Sequence, residues 1–288
     1  MYEILYECEI EDENQPNYTD LKEFINWIDT INNSTSVDEI KNKFEVDIFL
    51  KYMVIEYLIG HWDGYWIGGN NFYIYKNPTT NKFMFMSLDY DITLGKWDPH
   101  PPETTYQNWI PTRFLATPAL IQKIIYHPSF QKQFEDYLIT TVKKTFNIHA
   151  LGPRLDYFKN FLYDDISWDR IVEPKAVSVN SDIPFTLQDA MNSYEEAACE
   201  ASYGVKQWIS LRSEFVAKTF NFTIPSELDY SLGSYGDKIV KEKVEASETS
   251  EPGAISNLYN DESSASSATT LKYSYISVLV ILIVAFLL

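Results

Sequence analysis

The feature that most constrains the fold is an apolar run, VDIFLKYMVIEYLIG, at residues 46–60. Its length and composition predict a helix that is buried, because a helix that is apolar on most sides must be covered by neighbours. The glycine at its end is the residue most typical of the position just past a helix. With 288 residues, 45% of them hydrophobic, the chain is long and apolar enough to build a core around such a helix.

Helical periodicity dominates the rest of the first 225 residues. Further helices are predicted at residues 21–31, 37–44, 117–147 with a break at Pro128, 151–163, 185–204 and 205–220. Arg212 and Lys218 are expected on the polar face of the last helix. Two short runs, residues 72–75 and 83–88, predict strands joined by the turn KNPTTNK. The predicted fold class is therefore α+β, mainly helical, with one short β-hairpin.

Carboxylates and carboxamides gather around this hairpin. The loop HWDGYWIGGNN, which precedes the first strand, contains Asp63 and Asn71, and the motif DYD at the end of the second strand contains Asp89 and Asp91. A charge removed from water costs several kcal/mol unless a cation compensates it. The only lysines between residues 60 and 91 lie in or next to the turn, so a metal ion is the alternative compensator.

The order of these residues matches the catalytic loops of phosphoryl-transfer enzymes. There the first aspartate orients the attacking hydroxyl, while the asparagine and the later aspartate bind magnesium. A glycosidase that uses two of the three aspartates is an alternative, although Asn71 has no necessary role in that chemistry. Each aspartate alone is also common as an ordinary turn or strand-end residue.

The same stretch resembles a known family. HWDGYWIGGNNFYIY and KFMFMSLDYDITLG are similar to kinase-like proteins related to the bacterial spore-coat protein CotH. That family extends to fungal cell-surface proteins, some of which are adhesins that contact host cells. DLKEFINWI, the apolar helix and YGVKQWISLRSEFV also resemble helices of the family, so the resemblance covers residues 6–220. It implies the C-terminal lobe of a protein-kinase-like fold and ATP-dependent transfer of phosphate to serine or threonine, with Mg²⁺ or Mn²⁺.

The resemblance also implies roles for individual residues. Asp63 matches the catalytic aspartate, and Asn71 matches the metal-binding asparagine, with Asn70 as its alternative. Asp89 or Asp91 would be the metal-binding aspartate at the strand end, and the sequence leaves both open. His61 matches the histidine of the H-R-D loop, which is a structural residue there.

The chain departs from the family pattern before Asp63. A kinase-like fold grips the nucleotide with a lysine on a strand and a glycine-rich loop, and the sequence before Asp63 contains neither a strand-borne lysine nor G-x-G-x-x-G. The opening MYEILYECEI also lacks the basic and apolar regions of a signal peptide. We therefore expect a truncated protein without its N-terminal lobe, whose activity as this chain is an open question.

The C-terminal part predicts a surface anchor. Residues 226–270 are rich in serine and glutamate and predict a disordered stalk, and residues 271–288 end in an uncharged apolar run. Small residues that include Ser263 and Ser264, a polar spacer and this tail fit a glycosylphosphatidylinositol attachment signal, and a short tail anchor is the alternative. Residues 1–225 would then be a domain on the extracellular face of the plasma membrane or in the cell wall.

Two further features fit passage through the secretory pathway. N-glycan acceptor sequences occur at Asn17, at the overlapping pair Asn32 and Asn33, and at Asn221. The two cysteines, Cys8 and Cys199, are too few for a zinc cluster, and they either form a disulfide or remain buried thiols.

Charge limits the partners. The formal net charge of −18 argues against a nucleic-acid partner bound through a basic patch. The resemblance implies a protein partner, either the substrate of a kinase or a host or cell-surface protein bound by an adhesin that keeps the fold with a vestigial site. Nucleotide binding separates these two hypotheses.

Overall fold

A computed structural model describes residues 18–111, 117–171, 186–198 and 201–227. The helices are α1 (Thr19–Thr30), α2 (Val37–Lys43), α3 (Val46–Ile59), α4 (Tyr65–Gly68), α5 (Pro128–Lys144), α6 (Ile148–Phe161), α7 (Tyr163–Ile171), α8 (Leu187–Asn192) and α9 (Val205–Thr219). A 3-10 turn at Tyr106–Asn108 and a π-helix at Ile121–Ile125 lie between the strands and α5. The strands β1 (Phe72–Lys76) and β2 (Phe83–Ser87) form an antiparallel pair. The prediction of a mainly helical α+β fold with one hairpin is confirmed.

The helix α3 lies at the centre of the core. Ten of its 14 residues are buried, and it packs against α4, α5, α9 and β2. It ends at Gly60, which adopts a left-handed conformation with φ of 59°. A Cβ atom at Gly60 would lie 2.5 Å from the ring of Trp208 in α9. Both the backbone conformation and the close packing therefore require glycine where the apolar run ends.

The hairpin is attached to the helices at its turn end and along one face. Phe83 and Phe85 are buried, and Phe83 pairs with Phe44 through a single parallel bridge. Near the turn, Lys76 forms an ion pair of 2.7 Å with Asp20 of α1. The opposite, open end of the hairpin, where Phe72 pairs with Ser87, is left beside the loop that follows α3.

Two helix boundaries test the predictions of the sequence. The break predicted at Pro128 is confirmed, because α5 begins there and the side chain of His127 caps it by accepting from the Ser129 N–H at 3.2 Å. The helix predicted at residues 185–204 is wrong in extent, since α8 covers only Leu187–Asn192 and a turn follows. The backbone of Gly204 passes so close to residues 195–196 that the chain must fold back on itself before α9.

The predicted position of Arg212 on a polar helix face is also wrong. Arg212 is fully buried, with its guanidinium carbon 4.5 Å from the Tyr57 ring centre and 4.9 Å from that of Trp208. Its Nη1 donates to the carbonyl of Thr104 at 3.0 Å. A planar guanidinium stacks on aromatic rings and is attracted to their faces, so these rings can accommodate the charge of a buried arginine. Lys218 is exposed, as expected.

Several predictions concern residues outside the described ranges. These are Asn17, Cys8, Cys199, Ser263, Ser264, the stalk and the apolar tail. Among the residues that the structure describes, no helix is long and apolar enough to cross a membrane.

Candidate functional site

The loop after α3 lies alongside the segment that follows β2. The N–H of Trp62 donates to the carbonyl of Ile92 at 3.1 Å, and the N–H of Leu94 donates to the carbonyl of Ile59 at 2.6 Å. These two bonds fix residues 59–63 against residues 89–94. The loop aspartate and the strand-end aspartates thus meet at the open end of the hairpin.

Asp63 and Asn71 are in direct contact. The Nδ2 of Asn71 donates to Oδ2 of Asp63 at 2.8 Å. Because only the nitrogen of a carboxamide can donate to a carboxylate, the carbonyl oxygen of Asn71 must face away from Asp63. The other Asp63 oxygen, Oδ1, accepts no hydrogen bond from the described residues and lies 3.3 Å from Nε2 of His61. The side chain of Asp63 is 13% exposed, but Oδ1 itself is buried beside the ring of His61.

Asn71 and Asp89 occupy matching positions where the ladder ends. Their φ angles are 51° and 49°, and Leu88, next to Asp89, donates its N–H to the carbonyl of Asn71 at 2.8 Å. Asparagine and aspartate enter this left-handed region more readily than other non-glycine residues. The backbone conformation alone thus favours these residue types, in addition to any chemistry they perform.

Asp89 and Asp91 join the site in different ways. The side chain of Asp89 is exposed, and its backbone carbonyl accepts from Nε2 of His61 at 2.8 Å. Asp91 is half-buried, and burial raises the pKa of its carboxyl, with further increases from the charges of Asp89 and Asp63. The ammonium of Lys96 partly opposes this shift. The end of the hairpin therefore concentrates negative charge that a cation would relieve.

Analysis of the sequence missed Glu56. This fully buried side chain in the last turn of α3 accepts from the N–H groups of Tyr65 at 3.3 Å and Trp66 at 2.9 Å, and from Oγ of Ser87 at 2.8 Å. It therefore joins α3, the start of α4 and the end of β2. A lone glutamate among the apolar residues of a helix predicted to be buried is the signal that could have identified it.

Glu56 and His61 form a buried, coupled pair. Burial raises the pKa of Glu56, and the neighbouring His61 and the three hydrogen bonds only partly oppose this. Burial lowers the pKa of His61, but the Asp63 and Glu56 carboxylates outweigh it, so the pKa of His61 is raised. Gly64 packs against both side chains, and a Cβ atom there would lie 3.0 Å from the Glu56 carboxyl carbon. The pair therefore leaves no room for a side chain at position 64.

The donor atoms at this site fit a hard divalent cation. Carboxylate and carboxamide oxygens are the ligands that Mg²⁺ and Mn²⁺ prefer, and the carbonyl oxygen of Asn71 is turned away from Asp63. In the described part of the chain, no three His, Cys, Asp or Glu side chains converge closely enough to form a metal site by themselves. Magnesium bound together with a nucleotide needs only one or two protein ligands, because the phosphates supply others.

The remaining predicted residues are distributed over the surface and the core. Asn32, Asn33 and Asn221 are exposed. Tyr65 and Trp66 are buried in the core.

Comparisons with known proteins find related sequences. A family model described as CotH kinase protein matches residues 2–216. In Rhizopus delemar, Invasin CotH2 is 32% identical over 215 residues, which cover 70% of this chain and 36% of that protein. Invasin CotH3 is 30% identical over 209 residues, or 69% and 34% of the two chains. Spore coat protein homolog 1 is 28% identical over 191 residues, or 62% and 31%. The chain thus spans about a third of the length of these relatives.

Proposed function

This chain belongs to the CotH kinase protein family, and from that premise we propose that it is a surface-associated phosphotransferase that moves phosphate from ATP to serine or threonine hydroxyls of a protein. The observation that carries the proposal is the hydrogen bond of 2.8 Å between Asn71 and Asp63. It brings together the residue that would orient the hydroxyl and the residue that would bind the metal, the two roles that an aspartate and an asparagine fill in kinase catalytic loops.

Asp63 would act on the accepting hydroxyl. Its Oδ2 is fixed by Asn71, while its Oδ1 accepts no hydrogen bond from the described residues. The hydroxyl proton passes to the Asp63 carboxylate as the hydroxyl oxygen forms its bond to the γ-phosphorus. The bond from that phosphorus to the bridging oxygen breaks, and ADP leaves with the electron pair.

Asn71 and one of the strand-end aspartates would bind the metal. The carbonyl oxygen of Asn71 and a carboxylate of Asp89 or Asp91 would be the protein ligands, and the phosphates of ATP would supply further ones. When bound, Mg²⁺ or Mn²⁺ neutralises charge on the phosphates and helps to align them. The raised pKa of Asp91 supports this assignment, because a nearby cation would favour its ionised form.

The test uses the full-length gene product with ATP and Mg²⁺ or Mn²⁺. We expect a rise in melting temperature that requires both nucleotide and metal, and transfer of labelled phosphate to a serine or threonine substrate. Asp63→Asn keeps the size and an acceptor for Asn71, and it should lower transfer by about 10²–10⁴-fold without changing the melting temperature much. Asp29→Asn, on the exposed surface of α1, is the matched control. Equal activity in the two variants would refute the role of Asp63.

An adhesin is the second candidate, favoured by the names of the relatives. Two of the Rhizopus delemar relatives carry the name invasin. In this alternative the domain presents surface loops to a protein of another cell, and the site is vestigial. Asp63→Asn would then leave cell binding unchanged. Wild-type protein that binds cells but neither binds ATP nor transfers phosphate would favour the adhesin.

A further inference from the structure

An exposed tryptophan next to the candidate site is kept in an unfavourable backbone conformation. Trp97 is 52% exposed, and its φ of 60° lies in the left-handed region that bulky residues avoid. Leu94 and Gly95, just before it, also have positive φ, at 56° and 83°. Backbone strain of this kind persists only where the surrounding structure imposes it, and it is concentrated at binding and catalytic sites.

The structure imposes this conformation from both sides. Before Trp97, a Cβ atom on Gly95 would lie 2.6 Å from Tyr203 and 2.7 Å from Trp208, so the backbone packs directly on these rings. After Trp97, the buried side chain of Asp98 accepts from Nε1 of Trp109 at 2.9 Å and contacts Nδ1 of His100 at 2.7 Å. The Trp97 side chain is thus displayed on a short, well-anchored segment.

Trp97 meets Trp62 at nearly a right angle. The two ring centres are 5.6 Å apart and the ring planes are inclined at 83°, which forms a two-walled aromatic surface that we name the Trp62–Trp97 corner. Trp62 immediately precedes Asp63 in the chain. The corner therefore begins one residue from the group that would orient the accepting hydroxyl, whereas Asn71 and Asp89 lie at the hairpin end.

We propose that the Trp62–Trp97 corner binds a large apolar or aromatic side chain within two residues of the accepting serine or threonine, and so selects the protein substrate. The inference rests on the proposed phosphotransferase function. Because Trp62 adjoins Asp63 in the chain, we expect the side chain next to the accepting hydroxyl to reach the corner and cover the exposed indole of Trp97. Burial of that apolar surface favours such substrates.

The shape of the corner favours a peptide side chain over a sugar ring. A sugar stacks flat on one open ring face, but the ammonium of Lys96 lies 5.0 Å from the Trp97 ring centre and covers part of one face. Two perpendicular rings instead enclose a bulky side chain from two directions. The same ammonium disfavours lysine or arginine at the position that contacts Trp97.

The test uses the full-length gene product and a positional-scanning peptide library with a fixed central serine. Wild-type protein should prefer leucine, phenylalanine or tryptophan within two positions of the serine by about tenfold or more over glycine. Trp97→Gly removes the ring and suits the left-handed backbone, so it should abolish that preference without unfolding the loop. Trp168→Ala removes a 66% exposed tryptophan from α7 and should leave the preference intact. A preference that survives Trp97→Gly would overturn the inference.

A binding measurement separates this inference from the proposed function. Calorimetry would compare two alanine-for-serine peptides, one with a neighbouring phenylalanine and one with glycine, on wild-type protein and on Trp97→Gly. If wild-type protein transfers no phosphate to any peptide, the phosphotransferase proposal fails, while binding that needs both phenylalanine and Trp97 would still support the corner. Equal binding of the two peptides, or binding of chitohexaose that depends on Trp97, would overturn it.

Discussion

A single buried carboxyl group, that of Glu56, links the parts of the candidate site without taking part in the proposed chemistry. It receives two backbone N–H groups from the loop after Asp63 and the hydroxyl of Ser87 from the strand that leads to Asp89. The loop and the strand end are separated in sequence, and the hydrogen bonds to Glu56 fix their positions relative to each other. Rigid support of this kind determines how precisely catalytic groups are placed.

We expect Glu56→Gln to weaken folding and to flatten its dependence on pH. Burial raises the pKa of Glu56 above its unfolded value of about 4.3, so the folded protein binds this proton more tightly. The protonated Glu56 side chain therefore adds to the free energy of unfolding. This contribution is complete at a pH below the unfolded-state pKa and is lost as the pH rises through the higher pKa of the folded state. The free energy of unfolding, measured in urea between pH 4 and 8, should fall less steeply in the variant than in wild-type protein. At pH 7 the lost acceptor should cost about 1–3 kcal/mol.

Glu214→Gln is the control for this prediction, because Glu214 is exposed on α9. It should leave both the stability and its slope with pH unchanged. A slope in Glu56→Gln equal to that of wild-type protein would show that the buried carboxyl does not titrate differently in the folded and unfolded states.

Single residues also mark the limit of what the sequence could predict. The types and order of Asp63 and Asn71 around a hairpin predicted that they act together, and the structure places their side chains in contact. The burial of Arg212 was not predictable, since its partners are the rings of Tyr57 and Trp208 and a carbonyl at residue 104. Helical periodicity classifies a residue by polarity alone, whereas the position of arginine depends on contacts that only the tertiary fold supplies.

At the scale of elements, the open end of the hairpin combines backbone geometry with chemistry. Asn71 has positive φ, so it is compatible both with a structural role and with metal binding. Asn71→Gly separates the two roles, because glycine adopts the same backbone conformation without a side chain. We expect a free energy of unfolding within about 1 kcal/mol of wild-type protein and loss of the thermal shift caused by ATP and Mg²⁺.

Asn71→Asp is the companion variant. It places a second carboxylate where Nδ2 now donates to Asp63 at 2.8 Å, so it should destabilise the metal-free protein more than Asn71→Gly does. Added Mn²⁺ should restore much of this loss. If Asn71→Gly kept the full shift with ATP and Mg²⁺, Asn71 would serve the backbone alone.

Elements were predictable wherever local signals agreed. α3 and the hairpin follow directly from apolar runs, a terminal glycine and turn residues, and the structure confirms them. The segment after α8 was not predictable, because its turn is imposed by Gly204 packing on residues 195–196 rather than by a local breaker. Tertiary contacts override local helical propensity in such segments.

At the scale of the whole molecule, the central question is how the domain is presented to its surroundings. The names of the relatives, invasin and spore coat protein homolog, indicate a surface or coat location for the family. The sequence predicts a stalk and a short apolar tail, which lie almost wholly outside the described residues. We propose that these segments attach the domain to the outer leaflet through a glycosylphosphatidylinositol lipid.

We expect phosphatidylinositol-specific phospholipase to release the domain from intact cells that express the full-length gene product. Lipid attachment is predicted by the small residues Ser263 and Ser264, the polar spacer and the uncharged tail. The phospholipase cleaves a lipid anchor of this kind. Replacing both serines by lysine should block attachment and abolish release, because the attachment site needs small residues. The same replacement at Ser247 and Ser250, within the stalk, should leave release intact. Wild-type protein that stays in the membrane after complete digestion would show that the tail itself is the anchor.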